Sequence, residues 1–140
     1  MVSTALFEEN GAIVVADTLC HGGGYFRNII DETGDPIEAI AVGYLEQTSC
    51  PRMIDGFYKR MNYLRTVMSE YDVDAVILKK LLYCDIWGGE NYLLRQEAKR
   101  LNFPLLTLDR ELYGGGTGQL RTRVQAFMER ISNMDKKSHQ

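Results

Sequence analysis

The chain has 140 residues, 45% of them hydrophobic and 25% charged, which is the composition of one folded domain and excludes a disordered chain. A net charge of −3 and a pI near 5.4 exclude the broad cationic surface that nucleic acid requires. No apolar run approaches the roughly 20 residues of a membrane span, and the start, Met1 to Asn10, lacks the features of a signal peptide.

The cysteines Cys20, Cys50 and Cys84 are odd in number and widely spaced, which suits reduced thiols in a cytoplasmic protein better than a disulfide framework. No repeat or low-complexity segment interrupts the chain. A unit does recur: a short β-rich apolar run, a glycine-containing loop, then an amphipathic helix.

The first predicted strand is Ala12 to Ala16, β-branched and too short for a buried helix. Asp17, Cys20 and the triplet Gly22-Gly23-Gly24 follow, with a short helix expected around Tyr25 to Ile30. After a turn at Glu32-Thr33-Gly34, Asp35-Pro36 opens a helix running to about Leu45, with Asp as N-cap and Pro at the first helical position. Pro51 closes a polar loop. From about Ile54 to Tyr71, Phe57, Met61, Leu64, Val67 and Met68 fall at helical spacing on one stripe.

The second strand is Ala75 to Leu78, and its exit loop is read as Tyr83 to Gly89. A helix is expected from about Glu90 to Leu101, and Pro104 opens a third strand, Leu105 to Leu108. The exit loop from Asp109 to Gly118 leads into a last helix, Gln119 to Ser132, followed by a polar tail over 135–140. Strands separated by helices pair in parallel. The expectation is an α/β domain over 1–134, a small parallel sheet with helices on both faces in a Rossmann- or flavodoxin-like three-layer arrangement. Three strands make a narrow sheet, so a further domain or subunit is expected to cover it.

Ligands in such sheets bind beyond the carboxyl ends of the strands. That rule selects the loops 17–24, 83–89 and 109–118, and it would bring Cys20 and Cys84 to one sheet edge. Cys84 is, on residue chemistry alone, either a small buried hydrophobe or a thiolate ligand or nucleophile. One cysteine cannot hold a cluster, and no CxxC pair is present, so any metal would be shared. Cys20 beside His21 makes a poor dyad, because sequence neighbours seldom face each other. Cys50 reads as structural or incidental.

Gly114, Gly115, Gly116 and Gly118 precede a helix beginning with Gln119 and Arg121, where backbone N–H groups would favour an anion. The segment is neither a Walker A loop nor a dinucleotide fingerprint. Arg121 and Arg123 lie two apart, so at most one reaches such a site. Tyr83 and Trp87 flank Cys84 and are either core aromatics or a shield against water.

At this point the residues resemble a known family. Tyr83-Cys84-Asp85-Ile86-Trp87-Gly88-Gly89-Glu90 is similar to the aromatic-Cys-Asp motif of benzoyl-CoA reductase and 2-hydroxyacyl-CoA dehydratase subunits. The run Gly118-Gln119-Leu120-Arg121-Thr122-Arg123-Val124-Gln125-Ala126-Phe127 resembles the family's G-Q-L/V-R-T-R-x-x-A-F signature. Ala16 to Cys20, then Tyr25-Phe26, look like the start of the family's second domain.

The resemblance implies a C-terminal domain that gives one ligand, Cys84, to a 4Fe-4S cluster held between two domains. The other two cysteine ligands would come from an N-terminal domain or second subunit that this sequence does not contain, so this chain alone is expected to be inactive and to hold no complete cluster. It also implies an ATP-dependent iron–sulfur activator and an acyl-CoA or aromatic CoA thioester as partners. Dehydratases pass one electron into the thioester to form a ketyl radical and expel water; the reductases reduce an aromatic ring. Trp87-Gly88-Gly89-Glu90, where a proline could follow the Cys-Asp pair, leans towards the reductases. Residues expected to line the acyl-CoA pocket are Cys20, Tyr83, Trp87, Gly115, Gly116, Gly118, Gln119 and Arg121. The competing expectation is a stand-alone α/β binding or regulatory module that has lost cluster and catalysis.

Overall fold

The computed structural model describes residues 4–19, 22–26, 29–47, 50–111 and 117–138. They fall into two compact units, one formed by 1–15 with 68–140 and the other by 16–67.

The first unit is built on a parallel pair of strands, β1 (Val76–Leu81) and β2 (Leu105–Arg110), in register from Val76 opposite Leu105 to Leu81 opposite Arg110. β1 is followed by α5 (Asp85–Leu101) and β2 by α6 (Thr117–Ser138), and α1 (Ala5–Glu8) packs on α6. Successive strand residues face opposite sides of a sheet. Thr107 accordingly meets α5 through Asn91 and Arg95, while Leu108 packs with Leu120 and Val124 of α6 and Phe7 of α1. Helices therefore cover both faces of a small parallel sheet, as an α/β fold requires.

The core follows from spacing. Leu120, Val124, Phe127 and Ile131 are all buried on α6, one stripe of its surface. Leu108 and Val124 are sealed from solvent, at 1% and 0% exposure. Burying a side chain of the size of Leu108 stabilises the fold by about 1.5–3 kcal/mol. On the other face, Leu94 and Ala98 of α5 are buried one turn apart. α5 stops at Asn102, whose left-handed backbone (φ 55°) lets its N–H bond the Ala98 carbonyl, and Pro104 follows.

The second unit holds α2 (Gly23–Phe26), α3 (Pro36–Gln47), a 3-10 turn (Ile54–Gly56) and most of α4 (Phe57–Glu70). The predicted cap of α3 is present: Asp35 Oδ1 accepts from the Ile37 and Glu38 N–H groups at 2.9 and 3.0 Å. The predicted stripe on α4 buries Phe57, Met61 and Val67.

Four expectations need correction. Ala12 to Ala16 forms no strand; Ala12 packs against the Phe7–Leu108 cluster and Ile13 is 85% exposed, so among the described residues the sheet has two strands. Without that strand, the topological reason for bringing the 17–24 loop to the sheet edge is lost. Both remaining strands run further than expected, through Leu81 and Arg110, and Lys80 and Asp109 stand opposite one another near their ends as an ion pair. α5 begins at Asp85 rather than near Glu90, so Trp87, Gly88 and Gly89 are helical and the exit loop shrinks to Leu82–Cys84. α6 begins at Thr117, which takes Gly118 into its first turn, and continues to Ser138 through most of the expected tail.

Candidate functional site

The carboxyl end of β1 turns sharply into α5. Leu82 N–H extends the ladder by bonding the Arg110 carbonyl at 2.8 Å, and Cys84 N–H bonds back to the Leu81 carbonyl at 3.2 Å. This turn forces Tyr83 into the left-handed region (φ 62°) with its ring 90% exposed. Such a conformation costs a residue with a β-carbon about 1–3 kcal/mol and concentrates at sites where geometry matters more than local comfort. Cys84 is the N-cap of α5, with extended backbone (φ −84°, ψ 100°), and its carbonyl receives the Gly88 N–H at 2.8 Å.

Cys84 is a half-buried free thiol. Around it in sequence, Leu82, Tyr83 and Ile86 are exposed apolar residues, while Trp87, in the first turn of α5, is half-buried. A Cβ at Gly88 or Gly89 would meet nothing within 4 Å among the described residues, so none of those residues demands either glycine.

The remaining predicted residues divide by position. Gly118 and Gln119 are exposed in the first turn of α6. Arg121 is exposed and lies 3.6 Å from Glu9, a loose surface pair. Arg123 is tied down: its Nη2 donates to the Thr107 carbonyl at 2.7 Å. Cys20, Gly115 and Gly116, with His21 and Gly114, lie outside the described residues. The glycines before α2 have a local reason: a Cβ on Gly22 would lie 2.1 Å from Asp17 Oδ1 and one on Gly23 2.4 Å from the Asp17 carbonyl. Asp17 Oδ1 also accepts from the Leu19 and Gly23 N–H groups at 2.8 and 2.9 Å, so this carboxylate organises its own loop.

Sequence reasoning passed over the polar contacts that seat α5 and the cations at the strand ends. Thr107 Oγ1 donates to Asn91 Oδ1 at 2.9 Å, and Arg95 Nε donates to the same oxygen at 3.2 Å. The signal was available, since Cys84, Gly88, Asn91 and Arg95 recur at helical spacing on one face of α5. Lys79 projects from β1 on the Leu108 side; burial lowers its ammonium pKa, and the Arg110 guanidinium lowers it further. A groove along α1 and α6, lined by Glu9, Asn10, Gln125, Met128, Glu129, Ser132 and Asn133, involves none of the predicted site residues.

Among the described residues, no three His, Cys, Asp or Glu side chains converge as a metal-binding group. No described helix is long and apolar enough to cross a membrane. Fold and site together define a small α/β domain that presents one cysteine thiol at a strand exit, on a strained turn beside exposed apolar side chains.

Residues 3–131 match the family described as 2-hydroxyglutaryl-CoA dehydratase, D-component, and the chain belongs to that family. It is 32% identical over 126 residues to "Putative dehydratase subunit YjiM" of Escherichia coli (strain K12), covering 89% of this chain and 32% of that protein. It is 22% identical over 126 residues to the (R)-phenyllactyl-CoA dehydratase beta subunit of Clostridium sporogenes, covering 90% of this chain and 33% of the relative. Against a benzoyl-CoA reductase subunit of Thauera aromatica it is 22% identical over 134 residues, covering 90% and 29%. The chain spans about a third of the length of these curated relatives.

Proposed function

We propose that this chain is the thiol-bearing α/β domain of a CoA-thioester dehydratase or reductase subunit, and that Cys84 gives one thiolate ligand to a 4Fe-4S cluster completed by another domain or subunit. The observation that carries the reading is the placement of Cys84: a free, half-buried thiol at the carboxyl end of β1, as the N-cap of α5. That edge is where open α/β sheets receive ligands. The donor set fits the group in a limited way. A cluster of this type takes about four ligands, and this chain offers one cysteine at the strand exit, which suits a site shared between folding units.

When bound, the cluster would supply low-potential electrons; the chain's own residues do the rest. The turn at Tyr83 fixes where the sulfur stands. Asn91, Thr107 and Arg95 hold α5 against β2 and so keep its N-terminus in place. Leu82, Tyr83 and Ile86 offer apolar surface that a covering domain would bury, excluding water from the neighbourhood of the sulfur. The first turn of α6, at Gly118 and Gln119, offers backbone N–H groups to an anionic part of a CoA thioester, with Arg121 exposed one turn on. An ATP-dependent iron–sulfur activator as electron donor belongs to the same reading, as does a cytoplasmic setting.

The test replaces Cys84 by Ala in the assembled enzyme, with Cys50→Ala as the control. After anaerobic reconstitution, Cys84→Ala should lose iron and sulfide and alter the EPR signal of the reduced cluster, and Cys50→Ala should match the parent. An unchanged signal in Cys84→Ala overturns the assignment.

A further inference from the structure

Among the described residues, Thr107 is the one polar side chain that is buried, at 5% exposure, and it is used at both of its polar ends. Its hydroxyl donates to Asn91 Oδ1 at 2.9 Å and accepts from Arg95 Nε at 3.4 Å. Arg95 Nε also donates to Asn91 Oδ1 at 3.2 Å, so three side chains close a ring between β2 and α5. The Thr107 carbonyl accepts from Arg123 Nη2 of α6 at 2.7 Å. One residue of β2 thus holds both helices, which lie on opposite faces of the strand.

The ring bears on Cys84 through the helix itself. Cys84 and Asn91 are seven residues apart, on one face of α5 and about 10 Å along its axis. The buried apolar residues of α5, Leu94 and Ala98, lie beyond Asn91, which therefore stands between them and the thiol. Apolar contact is non-directional, whereas a hydrogen bond fixes distance and angle. The ring accordingly sets the rotation of α5 as well as its distance from β2. On the other face, Arg123 sits in the second turn of α6, and its bond to Thr107 fixes where that helix begins relative to the strand.

We infer that Thr107 is a positioning residue. Its hydroxyl, through Asn91 and Arg95, fixes α5 and with it Cys84; its carbonyl, through Arg123, fixes the start of α6. Loss of either contact frees the thiol, even though Arg123 lies across the strand from α5. The functional weight of this arrangement rests on the reading of Cys84 and of the first turn of α6 given above, but the restraint itself does not.

The experiment follows alkylation of Cys84 by iodoacetamide, using peptide mass spectrometry on the full protein freed of iron by chelation, with Cys50 as internal reference. Thr107→Val keeps the carbonyl and the branched shape while removing the hydroxyl. The Cys84 rate should rise about two- to tenfold, the gain in local opening expected from one lost hydrogen bond, with the Cys50 rate unchanged. Thr107→Ser should return the rate to that of the parent, and Arg123→Ala should raise it from the far face. Val124→Ala loosens the core without touching the ring, and it should leave the ratio of Cys84 to Cys50 rates at the parent value. Asn91→Ala repeats the test from the helix side if Thr107→Val fails to fold. An unchanged Cys84 rate in Thr107→Val or Asn91→Ala, no recovery in Thr107→Ser, no response to Arg123→Ala, or an equal rise in Val124→Ala overturns the proposal. None of these rates depends on a cluster, so an unchanged EPR signal in Cys84→Ala would remove the ligand assignment and leave the restraint standing.

Discussion

The guanidinium of Arg123 closes the open edge of β2 by donating to the Thr107 carbonyl at 2.7 Å. The carbonyls of Pro104 and Arg110 point to β1, where they accept from Val76 and Leu82. Because the direction alternates along a strand, the Thr107 carbonyl points the other way, towards the edge that no described strand pairs. An arginine from α6 thus does what a third strand would otherwise do.

This relationship separates the two arginines of the G-Q-L-R-T-R run. Arg123→Ala should cost about 1.5–3 kcal/mol, the range for a hydrogen bond from a charged donor. Arg121→Ala removes only a 3.6 Å pair between exposed side chains, and its effect on stability should stay below about 1 kcal/mol. Urea unfolding of the two variants gives the comparison, and the reverse ranking would contradict the assignment.

Tyr83 should trade stability against function. Its ring is 90% exposed, so Tyr83→Gly loses little packing and relieves a left-handed backbone at φ 62°. Thermal unfolding should show a variant as stable as the parent or more so, by about 1 kcal/mol. Activity of the assembled enzyme should fall, because the turn that positions Cys84 becomes freer. A marked drop in melting temperature would refute the strain argument.

Leu108 is the packing centre of the α6 face, with 1% of its surface exposed and Phe7, Leu120 and Val124 around it. Leu108→Ala should cost about 2–5 kcal/mol, the cost of transfer plus a cavity. The same substitution at Ile13, which is 85% exposed, should leave the unfolding midpoint nearly unchanged.

Lys79 gives a pH dependence with a definite sign. Burial, reinforced by Arg110, lowers its pKa in the folded state below the ordinary 10.5. Between the lowered value and 10.5 the unfolded chain binds the proton and the folded chain does not, so the contribution of Lys79 to stability rises with pH across that window. Below the lowered pKa the penalty is present in full. Lys79→Met should therefore be most favourable, relative to the parent, at neutral pH, with the difference shrinking as pH climbs towards 10.5. Urea melts at a series of alkaline pH values provide the check, and a pH-independent difference would count against it.

What the sequence made readable was whatever depends on local periodicity. The stripe of α4, the Asp35 cap and the apolar cores of β1 and β2 came straight from residue type and spacing. The ends of elements did not, because tertiary pairing decides them. Lys79 and Lys80 look like a strand terminus until Asp109 is placed opposite Lys80. Gly88 and Gly89 look like loop residues, yet the extended Cys84 starts α5 ahead of them, with Asp85 in its acidic first turn. Ala12 to Ala16 has the composition of a strand, but Ala12 goes to the Phe7–Leu108 cluster and no ladder forms there. For the site, the motif picked out Cys84, while the restraint on Arg123 and the Asn91–Thr107–Arg95 contacts required knowing that α5 and α6 lie on opposite faces of β2.

The backbone at Cys84 has a consequence of its own. Its N–H is spent on Leu81 and its carbonyl on Gly88, so the main chain there is held by neighbours on both sides whatever atom hangs from the β-carbon. The side chain is thus an interchangeable fitting on a fixed mount. Serine or selenocysteine, close to cysteine in size, keeps both main-chain bonds at that point, so a change of donor atom can be read apart from a change of backbone.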